Sequence, residues 1–195
     1  MRTKTDHRFI VDVPSDQVLA TLLAVERAPE WSPAHLDVRV ASRDPQGRPL
    51  RVYATVAPTG RSDRQVIEYE YSPGRIAWTV IESGAGGGGG GWFEVEDLDS
   101  GGTEIWYHNE LYLPIPMPGI VLKRTLTRIV DEAVHNLARL IRRSAGYPTG
   151  TFRVPVEYQQ QTYDDAADQQ GYAPQQYEEQ RPNPFARRYP IEGIG

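Results

Sequence analysis

The sequence predicts an α+β fold, a curved antiparallel sheet closed by one long C-terminal helix. Two observations carry this. Segments with alternating apolar and charged residues follow one another across short Gly, Pro and Asp turns, the pattern of half-buried antiparallel strands. One amphipathic stretch, 119–143, then repeats apolar residues at helical spacing with no internal breaker. A long helix against a curved sheet leaves interior space that side chains need not fill, and function is sought there.

The elements follow in order. Residues 5–13 alternate, with His7, Phe9, Val11 and Val13 on one face and Asp6, Arg8 and Asp12 on the other. Pro14-Ser15-Asp16 reads as a helix start with Ser15 or Asp16 as N-cap. Val18, Leu19, Leu22 and Leu23 form the apolar stripe of that helix, and Pro29 ends it or bends the chain into a second short helix closed by Trp31-Ser32-Pro33. Five or six strands come next. Segments 36–42 and 50–57 flank the turn Asp44-Pro45-Gln46-Gly47. Segment 64–71 sets Ile67, Tyr69 and Tyr71 against Glu68 and Glu70. After Ser72-Pro73-Gly74, segment 75–81 carries Ile76, Trp78 and Val80 on one face. Segment 92–98 opposes Phe93 and Val95 to Glu94 and Glu96, and segment 103–113 opposes Ile105, Tyr107, Asn109 and Leu111 to Glu104 and Glu110. The closing helix gathers Leu122, Leu126, Ile129, Val130, Ala133, Leu137, Leu140 and Ile141 on one stripe, and Gly146 and Pro148 mark its end. Its length of about 37 Å crosses a whole sheet.

The remaining composition sets limits. The chain has 195 residues, which permits one domain, 1–147, and a remainder, 148–195. After Pro155 there are eight Gln, five Tyr and four Pro with few aliphatics, so this tail is expected to be disordered. It is read as a solvated segment, with binding of a protein partner as the alternative. A net charge of −5 gives no reason to expect nucleic acid, and the chain has no cysteine for disulfides or thiolate chemistry. No apolar run approaches the ~20 residues of a transmembrane segment, so a cytoplasmic protein is expected.

Several motifs are set aside. The six glycines 86–91 lack the Lys-Ser/Thr of a phosphate loop and precede a strand, so they read as a flexible inter-strand loop near a cavity mouth. His7, His35, His108 and His135 have no metal-pair spacing, so neither a metal nor another cofactor is expected. No Gly-x-Ser-x-Gly elbow is present. The paired glutamates on the strands read as solvated outer-face charge. The inward set Tyr69, Tyr71, Trp78, Tyr107 and Asn109 has two readings. These side chains are a core that satisfies its own polar groups, or they line an apolar pocket and supply its few polar contacts.

Several pieces together resemble the SRPBCC (START-like, helix-grip) superfamily, in particular its polyketide cyclase/dehydrase and lipid-transport group. They are the opening strand with Val13-Pro14-Ser15-Asp16-Gln17-Val18, the stretch Glu26-Arg27-Ala28-Pro29-Glu30-Trp31 with Ser32-Pro33, Gly101-Gly102-Thr103, and Glu132-Ala133 through Leu137. The resemblance covers about residues 3–145. It implies a seven-stranded sheet gripping the C-terminal helix around a cavity for hydrophobic molecules. It carries no shared catalytic motif. The expected lining is Trp31 near the entrance, Tyr69, Tyr71, Trp78, Phe93, Tyr107 and Asn109 from the sheet, and Leu122, Leu126 and Val130 from the helix. The expected function is binding or transport of a hydrophobic small molecule. The alternatives are an aromatase/cyclase-type enzyme, with Tyr69, Tyr107, Asn109 or His7 as its proton-handling groups, and an interaction module working through its tail.

Overall fold

The structure, a computed structural model, describes residues 2–99, 101–114 and 119–148, without the side chains of 2 and 119–123. The tail after 148 therefore lies outside the described residues. Seven strands form one antiparallel sheet in the order β1-β7-β6-β5-β4-β3-β2. They are β1 (Arg2–Val11), β2 (His35–Arg43), β3 (Pro49–Val56), β4 (Asp63–Ser72), β5 (Arg75–Ser83), β6 (Gly88–Asp97) and β7 (Thr103–Tyr112). From β3 onward each strand pairs with its predecessor, as short turns dictate, and β1 pairs with β7, which leaves β1 and β2 as the two edges. Helix α1 (Ser15–Leu23), a 3-10 turn (Val25–Arg27) and α2 (Ala28–Trp31) connect β1 to β2, and α3 (Gly119–Ser144) closes the chain.

The helical connection departs from its expected capping. Pro14 occupies the cap position with no side-chain cap bond. The Ser15 hydroxyl donates instead to Asp97 Oδ2 at 2.9 Å, because a carboxylate at the end of β6 is the stronger partner and ties α1 to the sheet. Pro29 lies in the first turn of α2, where its missing N–H costs nothing. Glu30 accepts from Arg27 at 2.7 Å and pairs with Arg143 at 3.0 Å, which joins α2 to α3. Glu26 pairs with Arg43 at 2.5 Å, which joins the 3-10 turn to β2.

Helix α3 buries Leu126, Val130, Ala133, Val134, Leu137, Ala138, Leu140 and Ile141, close to the predicted stripe. It ends as Tyr147 N–H donates to Arg142 O at 3.0 Å and Gly146 N–H to Arg143 O at 3.1 Å, the paired bonds of a glycine-ended helix. The main core joins α1 and α3 to β1, β5, β6 and β7 through Phe9, Val11, Val18, Ile105, Leu137 and Ile141 among others. A second core lies under β2, β3 and β4 around Val38, Val52, Ala54 and Ile67.

Two sequence expectations are corrected. The glycine run is largely not a loop, because Gly88 to Gly91 form the first part of β6 and pair with β7 from Gly88↔Tyr112 to Gly91↔Asn109. Backbone hydrogen bonds make the ladder without side chains, and the close approach excludes them. A Cβ at Gly89, where φ is +141°, would stand 2.1 Å from the Glu110 carbonyl oxygen. Glu104 is on the outer face as expected but is 6% exposed, not solvated. Arg8 clamps its carboxylate with bonds of 2.7 and 2.8 Å, and Trp106 Nε1 donates to it at 3.2 Å. These hydrogen bonds, led by Arg8, hold the Glu104 carboxyl below its ordinary range despite burial.

Candidate functional site

The site grows out of strand parity. Inward positions align in rows across the sheet. The row His7–Tyr107–Phe93–Ile76 is filled with large side chains. The next row, Thr5–Asn109–Gly91–Trp78–Tyr69, contains a glycine and two small polar groups, and the row beyond holds Thr3, Leu111 and Gly89. The Trp78 ring lies over the gap at Gly91, where a Cβ would meet its Cζ2 at 2.5 Å. Beyond Trp78 the sheet has too little side-chain volume to reach α3. A cavity of about 110 Å³ remains between α3, the glycine strand, β1, β7, β3–β5 and the turn from α2 into β2.

Its apolar wall is Trp78, Ile67, Val80, Leu111, Leu126 and Val130. Its polar groups are Thr3, Thr5, Ser32, His35, Gln65, Tyr107 and Asn109, with Glu110 as the one formal charge among the described lining residues. The Glu110 carboxylate is engaged by Lys4 at 3.1 Å and by His108 at 3.3 Å. Thr5 Oγ1 donates to the Asn109 carbonyl at 3.4 Å, and the Asn109 amide has no partner among the described residues. Gln65 donates to Asp63 Oδ2 at 2.9 Å. Asp63 also accepts from Ser83 Oγ at 2.7 Å and Ala85 N–H at 2.9 Å, so it pins the β5–β6 connection. Burial alone would raise the Asp63 carboxyl, but these donors outweigh it and the net shift is downward.

Desolvation governs the titratable groups of the wall. Burial pushes the His35 imidazole down to about 4, which leaves it neutral at physiological pH. Burial pushes the Tyr107 hydroxyl well above its ordinary value. His7, in the filled row next to the cavity and 3% exposed, is lowered mainly by burial, against the pull of Asp131 and Asp6. Each of these groups is held in its uncharged form.

Residues 2–142 match the family described as polyketide cyclase / dehydrase and lipid transport. The chain belongs to this family. Solved structures show the same fold across low identity. A START superfamily protein from Mycobacterium smegmatis superposes with a TM-score of 0.64 at 15% identity, over 72% of this chain and 98% of that one. The Zhui aromatase/cyclase from a Streptomyces species gives 0.59 at 15% identity, over 75% and 94%. A Thermus thermophilus protein gives 0.58 at 16%, over 73% and 96%. No curated protein matches in sequence. No helix among the described residues is long and apolar enough to cross a membrane.

Of the ten side chains expected at the cavity of this family member, five line it: Trp78, Tyr107, Asn109, Leu126 and Val130. Leu122 lies outside the described side chains. The other four are corrected. Tyr71 donates its hydroxyl to the Pro49 carbonyl at 2.5 Å under the Arg48 guanidinium, at 4.3 Å, because β4 has by then run past the cavity to the sheet end. Phe93 stacks on Tyr107 at 4.8 Å and meets Trp78 at 5.2 Å and Trp31 at 6.3 Å, so it fills the core behind the lining. Trp31 joins that core instead of the entrance, its carbonyl accepting from the Asn136 amide at 3.3 Å. Tyr69 backs Trp78 at 6.5 Å and does not reach the cavity. Sequence reasoning missed Thr3, Thr5, Ser32, His35, Gln65 and the glycine backbone. The signals were present in part. Thr3 and Thr5 extend the inward parity of β1 and Gln65 that of β4, whereas no spacing marks Ser32 and His35.

Proposed function

We propose that this chain binds a hydrophobic small molecule in the cavity under α3 and acts as a carrier or sensor, not as a catalyst. The observation that carries this reading is the cavity itself: an apolar interior with a few fixed polar groups, walled by glycine backbone where side chains would fill it. Acid–base catalysis at neutral pH needs a group that titrates near neutrality. In the described lining His35 is pushed far below that range and Tyr107 above it, while Glu110 is held by Lys4 and His108. That balance favours binding over the aromatase/cyclase alternative. The family description, which names both chemistry and transport, is compatible with either.

The size of the cavity adds a condition. About 110 Å³ accommodates one aromatic ring, whereas drug-sized ligands occupy pockets of roughly 300–1,000 Å³. A larger ligand enters only if the first turns of α3 move away from the glycine strand.

Native mass spectrometry of the purified full chain tests the reading. A co-purifying small molecule, or a fluorescent hydrophobic probe that binds and quenches Trp emission through Trp78, is the expected result. No co-purifying species and no probe binding would refute it. For the tail, 148–195, the proposal rests on composition alone: a segment apart from the domain that could serve a protein partner. Truncation after Pro155 is expected to leave Tm nearly unchanged, and a fall of many degrees would contradict it.

A further inference from the structure

Ser32 and His35 stand three residues apart where α2 turns into β2. The backbone fixes that turn, with Ser32 N–H donating to Ala28 O at 2.8 Å and His35 N–H to Ser32 O at 3.1 Å. The Ser32 Oγ lies 2.7 Å from His35 Nδ1. Ser32 is 6% exposed, and among the described residues that ring nitrogen is the one acceptor its hydroxyl reaches. The arrangement that gives this hydroxyl proton an acceptor within the protein has it donating to Nδ1, and the imidazole proton then sits on Nε2. The Trp31 ring backs the imidazole, centroids 6.3 Å apart, and limits its rotation. Nε2 has no hydrogen-bond partner among the described residues, and both Ser32 and His35 line the cavity.

The charge of the lining adds a second constraint. It contains no Lys or Arg among the described residues, and its one formal charge is the Glu110 carboxylate. An anionic ligand would lose its water there with no counter-charge among the described lining residues to replace it. His35 stays neutral at physiological pH because burial disfavours its cation, so it supplies no charge either. An uncharged oxygen loses far less on entry and gains the Nε2–H bond.

We propose that His35, through Nε2–H, anchors the carbonyl oxygen of an uncharged lipophilic ligand, a ketone or an ester, and that the cavity thereby discriminates against carboxylates of the same shape. This rests on the binding reading above. Three single-ring probes of similar size, matched to the cavity, separate the two ideas in titrations of the full chain: acetophenone, benzoate and ethylbenzene. The ketone is expected to bind at least about tenfold more tightly than the carboxylate, the loss expected for an unpaired buried charge. His35→Phe is expected to weaken the ketone about five- to tenfold, the range of one lost hydrogen bond, and to leave ethylbenzene unchanged. In the wild-type chain, nitrogen NMR of the ring is expected to show a protonated Nε2 whose signal moves with the ketone but not with ethylbenzene. This measurement holds even if the variant misfolds. Binding of ethylbenzene with no ketone preference, or a protonated Nδ1, overturns the assignment to His35 and leaves the cavity reading standing. Failure of all three probes to bind overturns both.

Discussion

The two ends of the sheet's inner face contrast in side-chain volume. Along β1 the inward residues run Val11, Phe9, His7, Thr5, Thr3, and along β6 they run Val95, Phe93, Gly91, Gly89. Along β7 they run Ile105, Tyr107, Asn109, Leu111. At the first end Val134, Leu137, Ala138 and Ile141 of α3 close on large apolar side chains and fill the space. At the other end Leu126 and Val130 roof small polar residues and bare backbone, and the cavity remains. The same strands and the same helix build both ends. The ligand space therefore comes from a gradient in side-chain size along the strands, not from a break in the sheet.

The largest effect that could break this contrast comes from paired truncations on α3. Leu137 is 1% exposed in the filled end, and Leu137→Ala is expected to cost about 2–5 kcal/mol. Leu126 is 6% exposed beside an existing void, and Leu126→Ala is expected at the low edge of that range, about 2 kcal/mol, because fewer contacts are lost. Urea unfolding of both variants measures the difference. Equal costs would show that the two ends are packed alike.

Acid sharpens the contrast through two histidines. His35, at the hollow end, has a folded pKa near 4, below its ordinary 6.5. Between those values the unfolded chain takes a proton that the folded chain refuses. Stability is therefore expected to fall as pH drops through this window, by up to about 3 kcal/mol, and to level off below it. His35→Phe removes that slope. His108, on the outer face, behaves oppositely. Burial lowers it, but bonds to Asp6 at 2.7 Å and Glu110 at 3.3 Å outweigh this and raise its pKa. Its contribution is present in full below the unfolded value and lost as pH rises through the folded one. Unfolding curves of His35→Phe and His108→Gln across this pH range should diverge in opposite directions, and parallel curves would refute the assignment.

The glycine strand offers a smaller effect with an internal control. Gly91→Ala puts a Cβ 2.3 Å from the His108 carbonyl and 2.5 Å from the Trp78 ring, so β6 and β7 must part. A loss of about 1–3 kcal/mol is expected. A Cβ at Gly88 meets nothing within 4 Å, and Gly88→Ala is expected within about 0.5 kcal/mol of wild type. Smallest of all is Tyr107→Phe. The Tyr107 hydroxyl has no partner among the described residues, so its removal should shift stability by less than about 0.5 kcal/mol while changing which probes bind. A large stability loss would show a structural role for that hydroxyl.

The fold was legible in the sequence because it rests on periodicity. Alternation in β4 to β7 and the stripe on α3 located the elements and their buried faces, down to Trp78, Tyr107 and Asn109 on the cavity. The site was legible only in part because parity assigns a face, not a position along it. Phe93 and Tyr107 share a face, yet Phe93 is packed from behind while Tyr107 meets the void. Tyr71 lies on the cavity's side of the sheet but past its end, where Arg48 and Pro49 hold it. The glycines were misread because a strand without side chains has no alternation to detect, and its pairing appears only in the register with β7. His35 carries no spacing signal, since its role depends on a turn that brings Ser32 within 2.7 Å.

Binding at the hollow end is tested most directly by NMR titration of ethylbenzene into the wild-type chain and into Leu126→Trp, which places an indole in the void. Shifts confined to Trp78, Tyr107, Asn109, Val130 and their neighbours are expected in the wild type, with binding lost in a Leu126→Trp variant that keeps its Tm. Undiminished binding in the filled variant, or shifts centred on Phe9, Ile105 and Ile141 at the other end, would contradict it.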